Sequence, residues 1–369
     1  MIAHLLHKEK SVKGRYVNLD KLQKEWMDGL DMSLIKYEGR SVLGENIFSV
    51  QLGFGKRRVL IWSQMHGNES TTTKAVLDAI NFLKSDEILA KSILTNCTLL
   101  IIPILNPDGA KAYTRNNANN VDLNRDAKLR SQPESKILNK LFSDFKPDFC
   151  FNLHDQRTLF SVGNTNKSAT VSFLSPSTNL ERSVDKTRSI AMKIIVAMNE
   201  LLQKKIPGQV GRYDDGFNDN CVGDFFQMQG VPTILIEAGH FPEDYQREKT
   251  RELIFLTIID ALKIIATDSI DNFKTADYFQ IPENKKQFFD ILIANPKVIN
   301  QNLMEKDRIG IRFKEVLNNN TIVFQPELTS VGHLEGFFGH QTFDCTLTED
   351  YQRLTKRPDI LNLILSAKD

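Results

Sequence analysis

A chain of 369 residues, 41% hydrophobic and 25% charged, has the composition of a soluble globular protein large enough for a main domain and a smaller one. Lys and Arg total 47 against 46 Asp and Glu, a formal net charge of +1, so no global field draws it to nucleic acid or an anionic membrane, and a small, roughly neutral ligand or a peptide suits it better. Cys97, Cys150, Cys221 and Cys345 form no Cys-x-x-Cys, which argues against a thiolate zinc site and a disulfide framework.

The opening stretch MIAHLLHKEKSVKGRY lacks the basic, apolar and small-residue regions of a secretory signal, which with the cysteine usage predicts a cytoplasmic protein with reduced thiols. No apolar run approaches membrane-spanning length. Helical spacing of apolar residues predicts an opening helix over 18–35. IFSVQLGFGKRRVLIWSQM, two strand-like runs broken by Gly53 and Gly55, predicts a hairpin. A helix is expected over 70–84, where Val76, Ile80 and Leu83 share a face. The runs CTLLIIPIL, PDFCFNLH and VPTILIEA suit strands buried on both faces, and helical patterns over 182–205 and 247–267 supply covers. After Ser269 the texture becomes short strands between Asn-rich and Pro-containing turns. The chain therefore reads as an α/β protein: a mixed, mostly parallel central sheet covered by helices on both faces over 1–269, and a small β-rich domain over 270–369.

Four apolar runs each end in a chemically useful polar residue: His66, Asn106, His154 and Glu237. In an open α/β sheet, ligands bind beyond the carboxyl ends of parallel strands, so residues far apart in sequence can share one cleft. Two imidazoles and a carboxylate match a catalytic zinc site that keeps a position open for water. His66 and Glu69, three apart in QMHGNE, and His154 would be the ligands, with Glu237 as base. Each histidine taken singly reads as well as a strand-end hydrogen-bonding group. Glu237, closing the run PTILI, is hard to explain as a solvated charge. The segment NPDGAKAYTRNNANNVDLNRDAKLR adds Arg115, Asn124, Arg125 and Asp126. Beside a hydrolytic metal, arginine can stabilise an oxyanion or fork onto a substrate carboxylate, which argues for an anionic group on the substrate.

These segments, in order, resemble the zinc metallocarboxypeptidases of the carboxypeptidase A type. The resemblance runs from YEGRSVLGENIFSVQLG through VLIWSQMHGNES, PILNPDG, YTRNN, VDLNRD and FNLH to TILIEAGH, roughly residues 37–240. It implies one Zn2+ per chain on His66, Glu69 and His154, and Glu237 as general base and acid. Arg115 would polarise the scissile carbonyl, and Asn124 and Arg125 would bind the substrate's terminal carboxylate. Asp122 would orient a zinc imidazole. Tyr213 matches the mobile tyrosine that closes over substrate, and reads equally as an ordinary loop residue.

The chain also departs from that pattern. Asp155, Gln156 and Arg157 replace the small and aromatic residues that follow the third ligand in digestive enzymes, and the interval from Arg125 to His154 is shorter. Asp224, in DDGFNDNCVGDFFQMQG, reads either as a selector for basic side chains or as a loop acid facing water. The His-Gly-Asn-Glu and Asp-Leu-Asn-Arg motifs and the β-rich tail are also similar to the aspartoacylase and succinylglutamate desuccinylase relatives. The expected activity is therefore removal of a C-terminal residue from peptides, with an N-acyl amino acid deacylase or a cell-wall peptide amidase as the alternative, and the expected substrate a peptide or an N-acyl amino acid with a free carboxylate. A non-catalytic binding module would be favoured by loss of a ligand or of Glu237, and none is lost. His333 and His340, in the tail, read as structural or as approaching the site.

Overall fold

The computed structural model describes residues 2–367. By compactness the chain divides into two units, one running through Gln156 and resuming over Ala169–Asn284, the other comprising Arg157–Ser168 and the chain from Lys285 onward. Composition placed the boundary after residue 269. Residues 270–284 lie in the first unit because Thr275–Tyr278 forms a helical turn against the helix Lys186–Gln203, with Tyr278 and Ile281 in its core. Among the described residues no helix is long and apolar enough to cross a membrane, and all four cysteines are free thiols.

The strands are β1 Ile35–Arg40, β2 Asn46–Leu52, β3 Arg57–Trp62, β4 Cys97–Ile102, β5 Phe149–Asp155, β6 Phe160–Val162, β7 Val171–Leu174, β8 Val210–Arg212 and β9 Thr233–Ala238. β10 Asn284–Lys286, β11 Phe288–Ala294, β12 Arg308–Asn318, β13 Thr321–Gly332 and β14 Phe338–Asp344 follow. The first unit holds an eight-stranded sheet in the order β1-β2-β4-β3-β5-β9-β7-β8. Its middle, β4-β3-β5-β9, is parallel throughout.

Alternation along these strands feeds two cores. Phe151 and Leu153 of β5 and Ile234 and Ile236 of β9 join the apolar faces of the helices Thr71–Leu83, Lys186–Gln203 and Glu248–Ala266. On the other face, Leu60, Trp62, Leu100, Ile102 and Cys150 pack with Leu138, Leu141 and Phe226, from the helices Pro133–Phe145 and Val222–Met228. The continuous apolar runs seen in the sequence arise because both faces are covered.

Two local expectations change. The opening helix stops at Glu25, capped at its start by Asn18 accepting from Lys21 N. Two 3-10 turns follow, and Ile35 already begins β1. β2 and β3 are not a hairpin, because β4 lies between them. The Gly-Phe-Gly turn passes so close to the start of β4 that a Cβ on Gly53 would sit 2.2 Å from Cys97 O. The antiparallel hairpin is β1–β2.

Behind the sheet a buried ionic network fastens residues 4–15 to the two central helices. Asp78 and Arg251, both fully buried, are paired at 2.6 and 2.7 Å. Asp78 also receives His4 Nε2 and Glu9 N, both at 2.7 Å, and Arg251 donates to Val12 O and Glu9 O. Asp78→Ala leaves the buried guanidinium with Glu248 Oε2 at 3.3 Å as its remaining counter-charge, which costs about 3 kcal/mol, the low end for breaking a buried pair. Urea denaturation should show that loss, and a change below 1 kcal/mol would mean water replaces the carboxylate.

In the second unit β13-β12-β11-β14 form a four-stranded sheet closed by the helices Thr348–Thr355 and Pro358–Leu365, whose Leu354, Ile360 and Ile364 complete its core. His340 stacks on Phe288 with centroids 4.5 Å apart and meets Thr158 O at 2.7 Å. His333 is exposed beside Glu335. Both are engaged within their own unit.

Candidate metal centre

The loop after β3 is fastened from within. Gln64 takes a left-handed backbone (φ 50°); its side chain donates to Val17 O and Gly67 O, each at 2.8 Å, and accepts from Thr73 Oγ1. Asn106, fully buried after β4, donates to Met65 O and accepts from Gly109 N. Gly67 and Gly109 lie back to back, and a Cβ on Gly67 would meet Gly109 C at 1.9 Å. Asp108 in turn accepts from Ser41 Oγ and Leu43 N in the β1–β2 turn. The segments GRSVLG, HGNE and NPDG therefore occur together because each closes the next.

His154 and Glu237 are register partners on the adjacent parallel strands β5 and β9. Pleating turns both toward the face that carries Cys150 and Trp62 rather than the face of Phe151 and Leu153. There His66, Glu69 and His154 form a buried cluster whose donor atoms lie within 4.8 Å of one another. Glu69 Oε1 is 2.9 Å from His66 Nδ1, Glu69 Oε2 is 2.9 Å from His154 Nδ1, and the two Nδ1 atoms are 3.1 Å apart.

The donor set fits zinc. Asp122 Oδ1 accepts from His66 Nε2 at 3.0 Å, which leaves a neutral ring's lone pair on Nδ1, aimed at the Glu69 carboxylate. Electron pairs turned on one point are stable only around a cation, and two imidazoles with one carboxylate form the ligand set of hydrolytic zinc. Without metal, a proton serves that purpose. Burial opposes charge on His66, yet Glu69 and Asp122 raise its pKa above the ordinary value. Burial lowers that of His154. Burial also works against Glu69, but the two rings hold its carboxyl well below the usual range.

Glu237 has the opposite environment. Burial, with the Glu69 and Asp155 carboxylates, pushes its pKa well above the ordinary carboxylate range, and its Oε2 has no hydrogen-bond partner among the described residues. Two carboxylates whose surroundings drive their pKa values apart are suited to different tasks, one as ligand and one as proton carrier.

Around this centre, Arg115 is half exposed, donating to Asp122 Oδ2 at 3.0 and 3.1 Å and reaching Glu69 Oε1 at 3.4 Å. Asn124 Oδ1 accepts from Val222 N at 3.2 Å, which leaves its Nδ2 as the donating end. Arg125 is exposed, with Nη1 on Asn124 O. Tyr213 follows β8, its N–H on Phe173 O. Burial and then the Glu237 and Glu69 charges raise its phenol far above the ordinary value, which puts it in the same electrostatic environment as both.

Asp224 is neither solvated nor open to a ligand. It is buried, accepting from Ser177 N at 2.8 Å and Asn218 N at 3.3 Å, and burial pushes its pKa up to about 6. The other loop acids are paired too, Asp214 and Asp215 with Arg182, Asp215 with Arg188, and Asp219 with Lys128. Asp126 serves its own loop through Ser131 and Gln132.

Sequence reasoning gave no role to Asp155. Its carboxylate accepts from Thr71 N and Thr72 N at the start of the helix after Glu69, and its own N–H donates to Glu69 Oε2 at 3.1 Å. The signal was its position next to the third ligand. Arg15, Val17 and Gly14, whose carbonyls receive Ser70 Oγ, Gln64 Nε2 and Lys74 Nζ, carried no signal, since main-chain acceptors are the same for every residue.

A sequence model of the zinc carboxypeptidase family matches residues 23–221, more than half of the chain. The chain belongs to the zinc carboxypeptidase family. Among curated family relatives, the probable carboxypeptidase 2 of Trichophyton verrucosum (strain HKI 0517) is 29% identical over 111 residues, 30% of this chain and 21% of the relative. Carboxypeptidase SOL1 of Arabidopsis thaliana is 38% identical over 105 residues, 24% of this chain and 21% of the relative. The match thus spans about a fifth of those relatives' length. The structure of a metallo-carboxypeptidase from Pseudomonas aeruginosa in complex with (2-guanidinoethylmercapto)succinic acid superposes with a TM-score of 0.55 at 16% identity, covering 69% of this chain and 70% of that one. A metallo-carboxypeptidase from Burkholderia cenocepacia gives 0.51 at 16%, covering 64% and 66%. At such identities these two establish the fold. The family match ends before Glu237.

Proposed function

We propose that this chain is a zinc metallocarboxypeptidase that removes the C-terminal residue from peptides bearing a free carboxylate. The observation that carries the reading is the pairing of a buried His66–Glu69–His154 donor set with Glu237, which is half-buried with its Oε2 fully enclosed, elevated in pKa and in register with His154. Zinc, when bound, would lower the pKa of water and polarise the scissile carbonyl. Glu237 takes the proton from the attacking water and delivers it to the leaving amine. Arg115, already beside Glu69, supplies the charge that stabilises the developing oxyanion. Asn124 Nδ2 and the exposed Arg125 fork hold the terminal carboxylate, and Tyr213 covers the bound residue. Asp122 keeps the His66 ring in the tautomer that presents Nδ1.

The zinc-loaded protein incubated with a pool of unblocked peptides should release single C-terminal residues, read by mass spectrometry. Cleavage confined to a parallel pool of N-acyl amino acids would replace the reading with a deacylase on the same chemistry. Within the peptidase reading, Arg125→Ala should raise KM for free-carboxylate substrates about 10²-fold, since a charge-assisted bidentate pair contributes roughly 1.5–3 kcal/mol. Activity on C-terminally amidated peptides should hardly change, and equal losses on both substrates would remove Arg125 from carboxylate binding.

A further inference from the structure

We propose that Arg247 is a positioning residue whose guanidinium clamps together the ends of β5 and β9 and thereby sets the separation between Glu237 and the ligands His154 and Glu69. The inference rests on the zinc hydrolase reading above. In sequence Arg247 opens the helical pattern REKTRELIF, where an arginine is ordinarily a solvated surface charge. The structure instead buries it completely. It precedes the helix Glu248–Ala266 in a left-handed backbone conformation, φ 58° and ψ 31°, a region that residues with a Cβ occupy only when their surroundings hold them there.

Both of its Nη atoms donate to the main chain. Nη1 donates to Ala238 O, the residue directly after Glu237, and Nη2 donates to Gln156 O at 2.6 Å, two residues after His154. The paired register of β5 and β9 runs out at Asp155 and Ala238. One further bond, Gln156 N to Ala238 O at 2.9 Å, closes it, after which Gly239 N turns away to Thr170 O. Strand ends are where a sheet opens first. A planar fork reaching both carbonyls resists that opening, and the single point of a lysine ammonium would not span them in the same way.

The same strand end reaches Glu69, through Asp155 N and through the Asp155 carboxylate at the helix that follows. Splaying β5 from β9 would therefore carry two of the three ligands away from the base together. A displacement near 1 Å can cost about 10²-fold in rate.

The test uses the full-length zinc-loaded protein with Arg247→Gly, which suits the left-handed backbone, and Arg247→Lys, which keeps the charge. Both should lower kcat about 10²-fold with KM within about threefold, and both should keep one zinc per chain. Faster hydrogen exchange at the Gln156 and Gly239 amides should accompany the loss, and millimolar guanidinium should restore part of the kcat of Arg247→Gly. A residue that merely stabilises the fold would lower Tm and leave kcat of the folded fraction alone. That result, or unchanged exchange at both amides, overturns the clamp. If the parent protein cleaves neither substrate pool, the hydrolase reading fails by itself, and the exchange measurement alone decides whether Arg247 holds the strand ends.

Discussion

Glu237→Gln lowers kcat on an unblocked peptide by about 10²–10⁴-fold, the range that general acid–base catalysis supplies, while zinc content stays at one per chain. The amide keeps the shape of the carboxylate and cannot carry the proton. No proposed ligand atom changes, because the cluster that could hold the metal is His66, Glu69 and His154. Metal analysis beside steady-state kinetics checks both halves, and turnover within tenfold of the parent would remove Glu237 from the role of base. The substitution also has a pH-dependent effect on stability in the metal-free protein. The folded pKa of Glu237 is raised by burial and by its carboxylate neighbours. Its contribution is therefore fully present below about pH 4.3, the unfolded value, and is lost as pH rises toward the folded value. The glutamine variant escapes that loss, so its metal-free Tm should match the parent at pH 4 and exceed it at pH 8, stability gained where function is given up.

Removing the metal should have an effect of similar size. Dialysis against a chelator abolishes hydrolysis and zinc restores it. Zinc at a thousand times its dissociation constant stabilises the folded state by about 4 kcal/mol, about 5 °C in Tm for a protein of this size. His154→Ala removes a ligand and with it both the activity and the zinc-dependent shift. Zinc that raised the Tm of His154→Ala as much as that of the parent would place the metal elsewhere. The shift should fade as pH falls, first through protonation of His66, whose pKa is raised, and then of His154, whose pKa is lowered, because protons compete with zinc for the imidazoles.

How far the site was legible depended on where its residues stand. His66, His154 and Glu237 each close an apolar run, so strand pattern and polar terminus point to them together. The structure brings them to one face, with His154 and Glu237 in register. Asp122 was readable from its place before Leu-Asn-Arg, and its bond to His66 Nε2 is present. Asp224 was not readable, because the backbone amides of Ser177 and Asn218 that satisfy it come from other turns of the chain. The β2–β3 segment misled for a related reason: two strands joined by a short Gly-rich turn look like a hairpin whether or not a later strand enters between them. Here Cys97–Ile102 does.

Local chemistry written in the sequence thus determined the alternation that buries both faces of the sheet, the helices of regular apolar period, and the order of the segments that carry the proposed ligands, base and arginines. Those features depend on residue type and spacing within a few positions. Tertiary structure alone decided the insertion of β4, the capping by Asp155 of the helix after Glu69, the burial of Asp224 against the Ser177 and Asn218 amides and the burial of Arg247 against Ala238 O and Gln156 O. Each of these joins groups far apart along the chain, several through main-chain atoms common to all residues, so only the folded geometry can select them.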